Sequence, residues 1–158
     1  MNSIDEWFEP IYIKNYTKMV KLAYYILQDK NLAEDVVQNA FFALLIKHRQ
    51  LWDHPNIPGW LTKTVKNMAD NTRNKASYML ESSLLPEHEP AVDGFPQDFM
   101  SLLPSGLSEK ERQILYLHIE VGLPHTEIAA KLGCKPEACR MRLSRARSRC
   151  RNLLLAQK

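Results

Sequence analysis

The chain has 158 residues, 45% of them hydrophobic and 25% charged, with a formal net charge of +3; that length suits one ordinary domain or two small ones, and the composition is globular rather than fibrous or disordered. No apolar run reaches membrane-spanning length and the acidic opening MNSIDEWFEP is not a signal peptide, so a cytoplasmic protein without membrane insertion is expected. The cysteines (Cys134, Cys139 and Cys150) are odd in number and lack CxxC spacing, which argues against a disulfide framework or a zinc site.

Charge divides the chain into three. Residues 1–80 carry ten Lys/Arg against eight Asp/Glu, residues 81–105 carry five acids and no base, and residues 106–158 carry eleven bases against five acids. Two modules joined by an acidic connector are therefore expected, and the prolines of ESSLLPEHEPAVDGFPQDF give that connector the composition of a flexible linker. On both sides of it the apolar pattern is helical, with no alternating strand and no internal repeat, so the fold class is all-α.

In chain order, NLAEDVVQNAFFALLIKHR predicts an amphipathic helix, with Asn31 in the position of a cap and Glu34 three residues on. Its core face holds Ala33, Val36, Val37, Ala40, Phe41, Leu44 and Leu45. The opposite face holds Asp35, Gln38, Asn39, Phe42 and Ile46, where two large apolar groups beside an acid and two amides suit a protein-docking patch. The alternative packs Phe42 and Ile46 against the first helix or the start of the chain; periodicity favours neither.

After the polar loop QLWDHPNI, Pro58 fits the first turn of a second helix whose buried stripe runs Leu61, Val65, Met68, Ala69, Thr72 and Ala76. Its far face interleaves Trp60, Lys63, Asn67, Asn71, Asn74 and Tyr78, with Lys66 and Arg73 to one side. Aromatics, amides and cations together suit unstacked bases and phosphate, but the pattern taken alone favours ordinary core or rim aromatics at Trp60 and Tyr78.

Beyond the connector, Ser108 and Glu111 form a capping-box signal that opens EKERQILYLHIE as a helix. GLP ends it, HTEIAAKL forms a short helix, Gly133 suits a left-handed C-terminal residue, and Pro136 opens the last helix. Two helices joined by a short glycine-containing turn match a helix-turn-helix. On the second of them Cys139, Leu143, Ala146 and Cys150 share one face. Glu137, Arg140, Met141, Ser144 and Arg145 point the other way, with Arg142, Arg147, Arg149 and Arg151 on the flanks. In such a helix the first outward residues meet base edges and later cations meet phosphates. A basic face with no nucleic-acid role is the rival reading, and the preceding turn and short helix count against it.

No glycine-rich phosphate loop, nucleophile elbow or HExxH occurs, and the five histidines lack ligand partners at metal spacing. The chain is therefore not expected to be an enzyme, nor to need a metal or other cofactor.

YILQDKNLAEDVVQNAFFALL, IPGWLTKTVKNMADNTR and LSEKERQILYLHIEVGLPHTEIAAKLGCKPEACRMRLSRAR together resemble the extracytoplasmic-function (ECF) group of bacterial RNA polymerase sigma factors, in the family's order, from about Tyr16 to Arg147. The resemblance implies a helical region-2 domain over residues 1–80, a linker over 81–105, and a region-4 helix-turn-helix over 106–158. It implies polymerase docking, on the β′ clamp helices, at Asp35 and Gln38, a patch that the wheel extends to Asn39, Phe42 and Ile46; the β flap is the further core contact. It also implies capture of the melted minus-ten element by the loop residues Trp52, His54 and Asn56 and by Trp60, Lys63, Lys66, Asn67, Asn71 and Arg73. Duplex reading of the minus-thirty-five element falls to Lys135, Glu137, Ala138, Arg140, Met141, Ser144 and Arg145. Promoter DNA and core polymerase are the implied partners, with an anti-sigma protein as a further candidate.

The chain departs from the group's commoner pattern at Glu137, Ala138 and Cys139, where many members have Gly-Thr-Val, and at Asn71, where many have Asp; these departures bear on promoter sequence rather than fold. The rival functions are a stand-alone dimeric helix-turn-helix regulator, against which the Asp35–Ile46 face argues, and a nucleic-acid enzyme, for which clustered carboxylates are missing.

Overall fold

The computed structural model describes residues 3–81 and 97–156, with side chains for 3–74 and 99–156. Most of the acidic connector, and the side chains of Ala76 and Tyr78, lie outside the described residues. Among the described residues all regular structure is helical.

The first module consists of α1 (Ile4–Leu27), α2 (Lys30–Ile46), the single turn α3 (His48–Leu51) and α4 (Ile57–Glu81). Ser3 caps α1 by accepting from the Glu6 N–H at 3.1 Å. The cap of α2 is Asp29, not Asn31: its Oδ1 accepts from the Leu32 N–H at 3.0 Å, and its backbone is extended (φ −141°, ψ 119°). A carboxylate there meets both the unpaired N–H groups and the positive end of the helix dipole, which an amide two residues inside the helix cannot do. Phe41 and Leu44 of α2 and Leu61, Val65 and Ala69 of α4 are buried with Met19 and Ala23 of α1 in one cluster. Tyr12 packs edge-on to Phe41, with ring centroids 4.9 Å apart.

The second module holds α5 (Gln97–Met100), α6 (Glu109–Leu115), a π-helical turn (Tyr116–Glu120), α7 (His125–Leu132) and α8 (Pro136–Leu155). Its packing begins before the charge boundary at residue 106, because Phe99, Met100 and Leu103 are buried in it. Arg112 holds this approach in place by donating to the carbonyls of Met100 (2.9 Å) and Pro104 (2.8 Å). Ser108 and Glu111 complete a reciprocal capping box. The helix read as continuous through Glu120 instead widens after Leu115, where the Val121 N–H reaches back to the Tyr116 carbonyl at 3.2 Å. Gly133 takes φ 71° at the end of α7, and Pro136 begins α8. Cys139, Leu143, Ala146 and Cys150 are buried as their spacing implies, joined by Leu154.

The modules are not separate in space. Ile4, Phe42, Ala43, Leu45 and Ile46 share one buried cluster with Leu117, Ile119, Leu143 and Ala146. Phe42 is 7% exposed and Ile46 1%. Of the two readings that periodicity left open for this face of α2, Phe42 and Ile46 are packed, partly against the start of the chain and mainly against the second module. Burying each such side chain is worth about 1.5–3 kcal/mol, more than a typical surface ion pair at about 0–1 kcal/mol, so apolar contact dominates this junction.

Candidate docking and nucleic-acid interfaces

The outward face of α2 meets the second module through three polar or cationic contacts. Asn39 Nδ2 donates to His118 Nε2 at 3.0 Å, and His118 Nδ1 lies 2.9 Å from the Leu123 carbonyl, an arrangement that requires the neutral ring with its proton on Nδ1. Burial lowers the His118 pKa from 6.5 to about 4, against the opposing Leu123 hydrogen bond. Lys47 pairs with Glu120 at 3.0 Å. The Arg147 guanidinium carbon lies 5.5 Å from the centroid of the Phe42 ring. Asp35 remains largely exposed at the edge of this junction, yet desolvation raises its carboxyl above the usual range while Arg147 opposes the shift. Gln38 turns the other way, its Nε2 donating to the hydroxyls of Tyr12 (3.2 Å) and Tyr16 (3.5 Å).

The candidate single-strand face divides by exposure. Lys63, Lys66, Asn67, Asn71 and Arg73 are exposed along α4, with Arg73 bonded to Asp70 at 3.1 Å. Trp60 is half-buried and touches both apolar clusters, so much of its ring is packing surface. Trp52 stacks on Trp7, with centroids 5.2 Å apart and planes at 17°. His54 and Asn56 are engaged locally: His54 Nδ1 accepts from the Asn56 N–H and Asn56 Oδ1 from the Gly59 N–H, each at 3.0 Å. A Cβ on Gly59 would crowd the Asn56 amide, so a larger residue there would push the capping side chain aside.

On the helix-turn-helix, Lys135, Glu137, Arg140, Met141, Ser144 and Arg145 are exposed and Ala138 is half-buried. Met141 is 54% exposed, a large apolar group on a cationic surface where it can meet a base edge or a thymine methyl.

These faces converge on the junction between the modules. A cleft of about 690 Å³ is lined by Asp35 and Gln38 on one side and by Arg140, Ser144 and Arg147 on the other. A second cleft, of about 710 Å³, sets Trp60, Lys63, Asn67 and Asn71 against His118, Pro124 and His125. The sequence reading did not identify Lys47, His118, Glu120 or Arg147 as contacts between modules; each lies on a helix face whose partner is set by tertiary docking, for which local spacing carries no signal. Among the described residues there is no group of three metal-ligating side chains, and no helix is long and apolar enough to cross a membrane.

Two family models match the chain, sigma-70 region 2 over residues 11–77 and sigma-70 region 4 over residues 104–150. The chain is 28% identical over 144 residues to a Mycobacterium tuberculosis protein described as "Probable ECF RNA polymerase sigma factor SigI", covering 82% of this chain and 49% of the relative. It is 28% identical over 151 residues to a Xanthomonas campestris pv. campestris protein described as "Probable RNA polymerase sigma factor RfaY", covering 85% of this chain and 37% of the relative. The chain thus spans half or less of the length of these curated relatives. A solved structure of the sigma factor RpoE with the anti-sigma factor NepR from Bartonella quintana is similar at a TM-score of 0.44 and 22% identity, covering 96% of this chain and 98% of that one.

Proposed function

Because this chain belongs to the sigma-70 family, in its ECF group, we propose that it directs a bacterial core RNA polymerase to specific promoters and begins DNA melting there. The observation that carries this reading is the pair of family regions in order, with the second one formed on a helix-turn-helix whose outward face is cationic.

The division of labour follows the chemistry of the faces. Residues 1–80 dock on the β′ clamp helices through the Asp35/Gln38 face of α2 and hold unstacked bases of the minus-ten strand along α4. There Asn67 and Asn71 offer amide hydrogen bonds, while Lys63, Lys66 and Arg73 offer charge to the backbone. Residues 106–158 approach the β flap and read the minus-thirty-five duplex from Arg140, Met141 and Ser144, with later cations on phosphate. The acidic segment 81–105 joins the two and can follow a basic channel. Specificity and strand separation arise from binding energy alone, so the subunit makes and breaks no covalent bond. It works in the cytoplasm with polymerase, and an anti-sigma protein is a candidate partner.

The test is run-off transcription on genomic fragments with a bacterial core polymerase, followed by sequencing of transcript starts. Starts sharing one upstream motif and dependent on this chain are expected. Chain-independent starts, or no association with core, would sink the reading.

A further inference from the structure

We propose that Cys134 and Cys139 form a reversible oxidation site, a thiol pair that closes to a disulfide across the start of α8 and loosens that helix from DNA. The pair stands on the structure of the helix-turn-helix alone; its effect on DNA rests on the sigma reading above.

Lys135 is the N-cap of α8 and Pro136 its first residue, so Cys134 immediately precedes the cap and Cys139 is the fourth residue of the helix. Side chains at those two positions meet at many helix starts as an apolar staple; here both are thiols. Cys134 packs against the cluster in which Cys139 is buried, and the two side chains are hydrogen-bonding neighbours. The turn holds Cys134 in place, because its N–H donates to the Ala129 carbonyl at 3.0 Å and Gly133 before it takes φ 71°. Cys150 cannot join the pair. It lies eleven residues beyond Cys139 on α8, about 16 Å at the helical rise, whereas the Cα atoms of a disulfide are at most about 7 Å apart.

Exposure divides the chemistry between the two thiols. Cys134 is half-buried and reaches solvent, while Cys139 is 0% exposed. Burial, and then the neighbouring Cys134, hold the Cys139 thiol above its ordinary range, so Cys134 is the group that meets an oxidant. Hydrogen peroxide transfers one oxygen to the Cys134 sulfur, giving a sulfenic acid and a first water. The Cys139 sulfur then attacks the Cys134 sulfur, the S–S bond forms, and the sulfenic oxygen leaves with the Cys139 proton as a second water. The two thiols together lose two electrons and two protons, and the peroxide takes up both. A dithiol restores the pair by exchange. In a reducing compartment such a link is transient and sensing, unlike a structural framework.

Bonded sulfurs lie about 2 Å apart, closer than two thiols in contact. Cys139 is fixed in a close-packed core, so the movement falls on Cys134 and on the chain between them. That chain carries Lys135, Glu137 and Ala138, the first of the residues proposed to read the minus-thirty-five element. Displacing them forfeits base contacts, and one lost contact lowers affinity about five-fold or more.

The experiment treats the reduced full chain with hydrogen peroxide, removes the peroxide, and alkylates the remaining thiols in denaturant. Intact mass and peptide mapping should show a monomer lacking two hydrogens, joined from Cys134 to Cys139, with Cys150 alone alkylated. Dithiothreitol should reverse the change. Core polymerase is then added, and retention of promoter fragments from the run-off experiment is measured. The oxidised chain should bind them at least about five-fold more weakly than the reduced chain, with recovery in dithiothreitol. Cys134→Ser and Cys139→Val should each bind as the reduced wild type does, with or without peroxide. A link to Cys150 or between two chains overturns the site, as does oxidation of Cys134 beyond the sulfenic acid with Cys139 left free. The expected disulfide with unchanged promoter binding overturns its action on DNA, and so does an equal peroxide response in the two variants. Failure of the reduced chain to retain promoter DNA with core sinks the sigma reading, while the mass measurement still decides the thiol pair.

Discussion

The guanidinium of Arg147 on α8 sits over the ring of Phe42 on α2, its central carbon 5.5 Å from the ring centroid, and links two residues more than a hundred positions apart in sequence. Arg147 arises from the basic run that reads as a DNA-contacting helix, and Phe42 from the face that reads as a polymerase dock. One contact thus engages both candidate surfaces.

A double-mutant cycle isolates this pair. Arg147→Met and Phe42→Leu should each lower the melting temperature, and the coupling between them should be about 0.5–2 kcal/mol for a partly desolvated cation–π contact. Strictly additive effects would show that the ring is not what Arg147 contributes to the junction.

The cap of α2 gives a second contrast. Asp29→Ala should destabilise the chain by about 0.5–2 kcal/mol, whereas the exposed Asn31→Ala should change little. Thermal melts of the two variants decide it; a larger loss at Asn31 would restore the cap assigned from sequence.

Acid should weaken the junction between the modules. The folded pKa of His118 is about 4 against an ordinary 6.5, because burial disfavours the charged ring. Above about pH 6.5 both states are neutral and its contribution is complete; as pH falls toward about 4 the unfolded chain takes up a proton that the folded one resists, and stability is lost. His48, also lowered by burial, acts in the same direction, while the raised carboxyl of Asp35 acts oppositely. Arg147 and His125 face His118 and add to the penalty on its charge. His118→Gln should therefore melt with a shallower pH dependence than wild type between about pH 7.5 and about pH 5. Identical slopes would remove His118 from the account.

The proposed DNA-reading role predicts different behaviour for Arg140 and Arg145. In holoenzyme, Arg140→Ala should cost about 1–3 kcal/mol on the preferred minus-thirty-five sequence and relax preference at one position. Arg145→Ala should weaken all sequences alike and flatten the salt dependence by about one unit of slope. Competition binding across promoter variants at several salt concentrations measures both; uniform losses for both arginines would place Arg140 on phosphate.

What the sequence determined by itself is what short-range physics controls. The Ser108/Glu111 capping box spans three residues, Gly133 must turn left-handed to end α7, and Pro136 needs no N–H donor at the start of α8. The 3.6-residue period buries Cys139, Leu143, Ala146 and Cys150, and separates Phe41 and Leu44 on the core face from Phe42 and Ile46 on the outer one. Only the tertiary structure decided what covers that outer face. The Asn39–His118 bond joins residues 79 apart, and its existence depends on how two packed bodies dock, a choice made by the fit of their whole surfaces. Local geometry was also decisive where side chains had competing uses: His54 and Asn56 look like free loop groups in sequence, yet they serve the start of α4, because its unpaired N–H groups need an acceptor. Helices and their faces follow from neighbours a turn apart; the partner of each face follows from the assembled core.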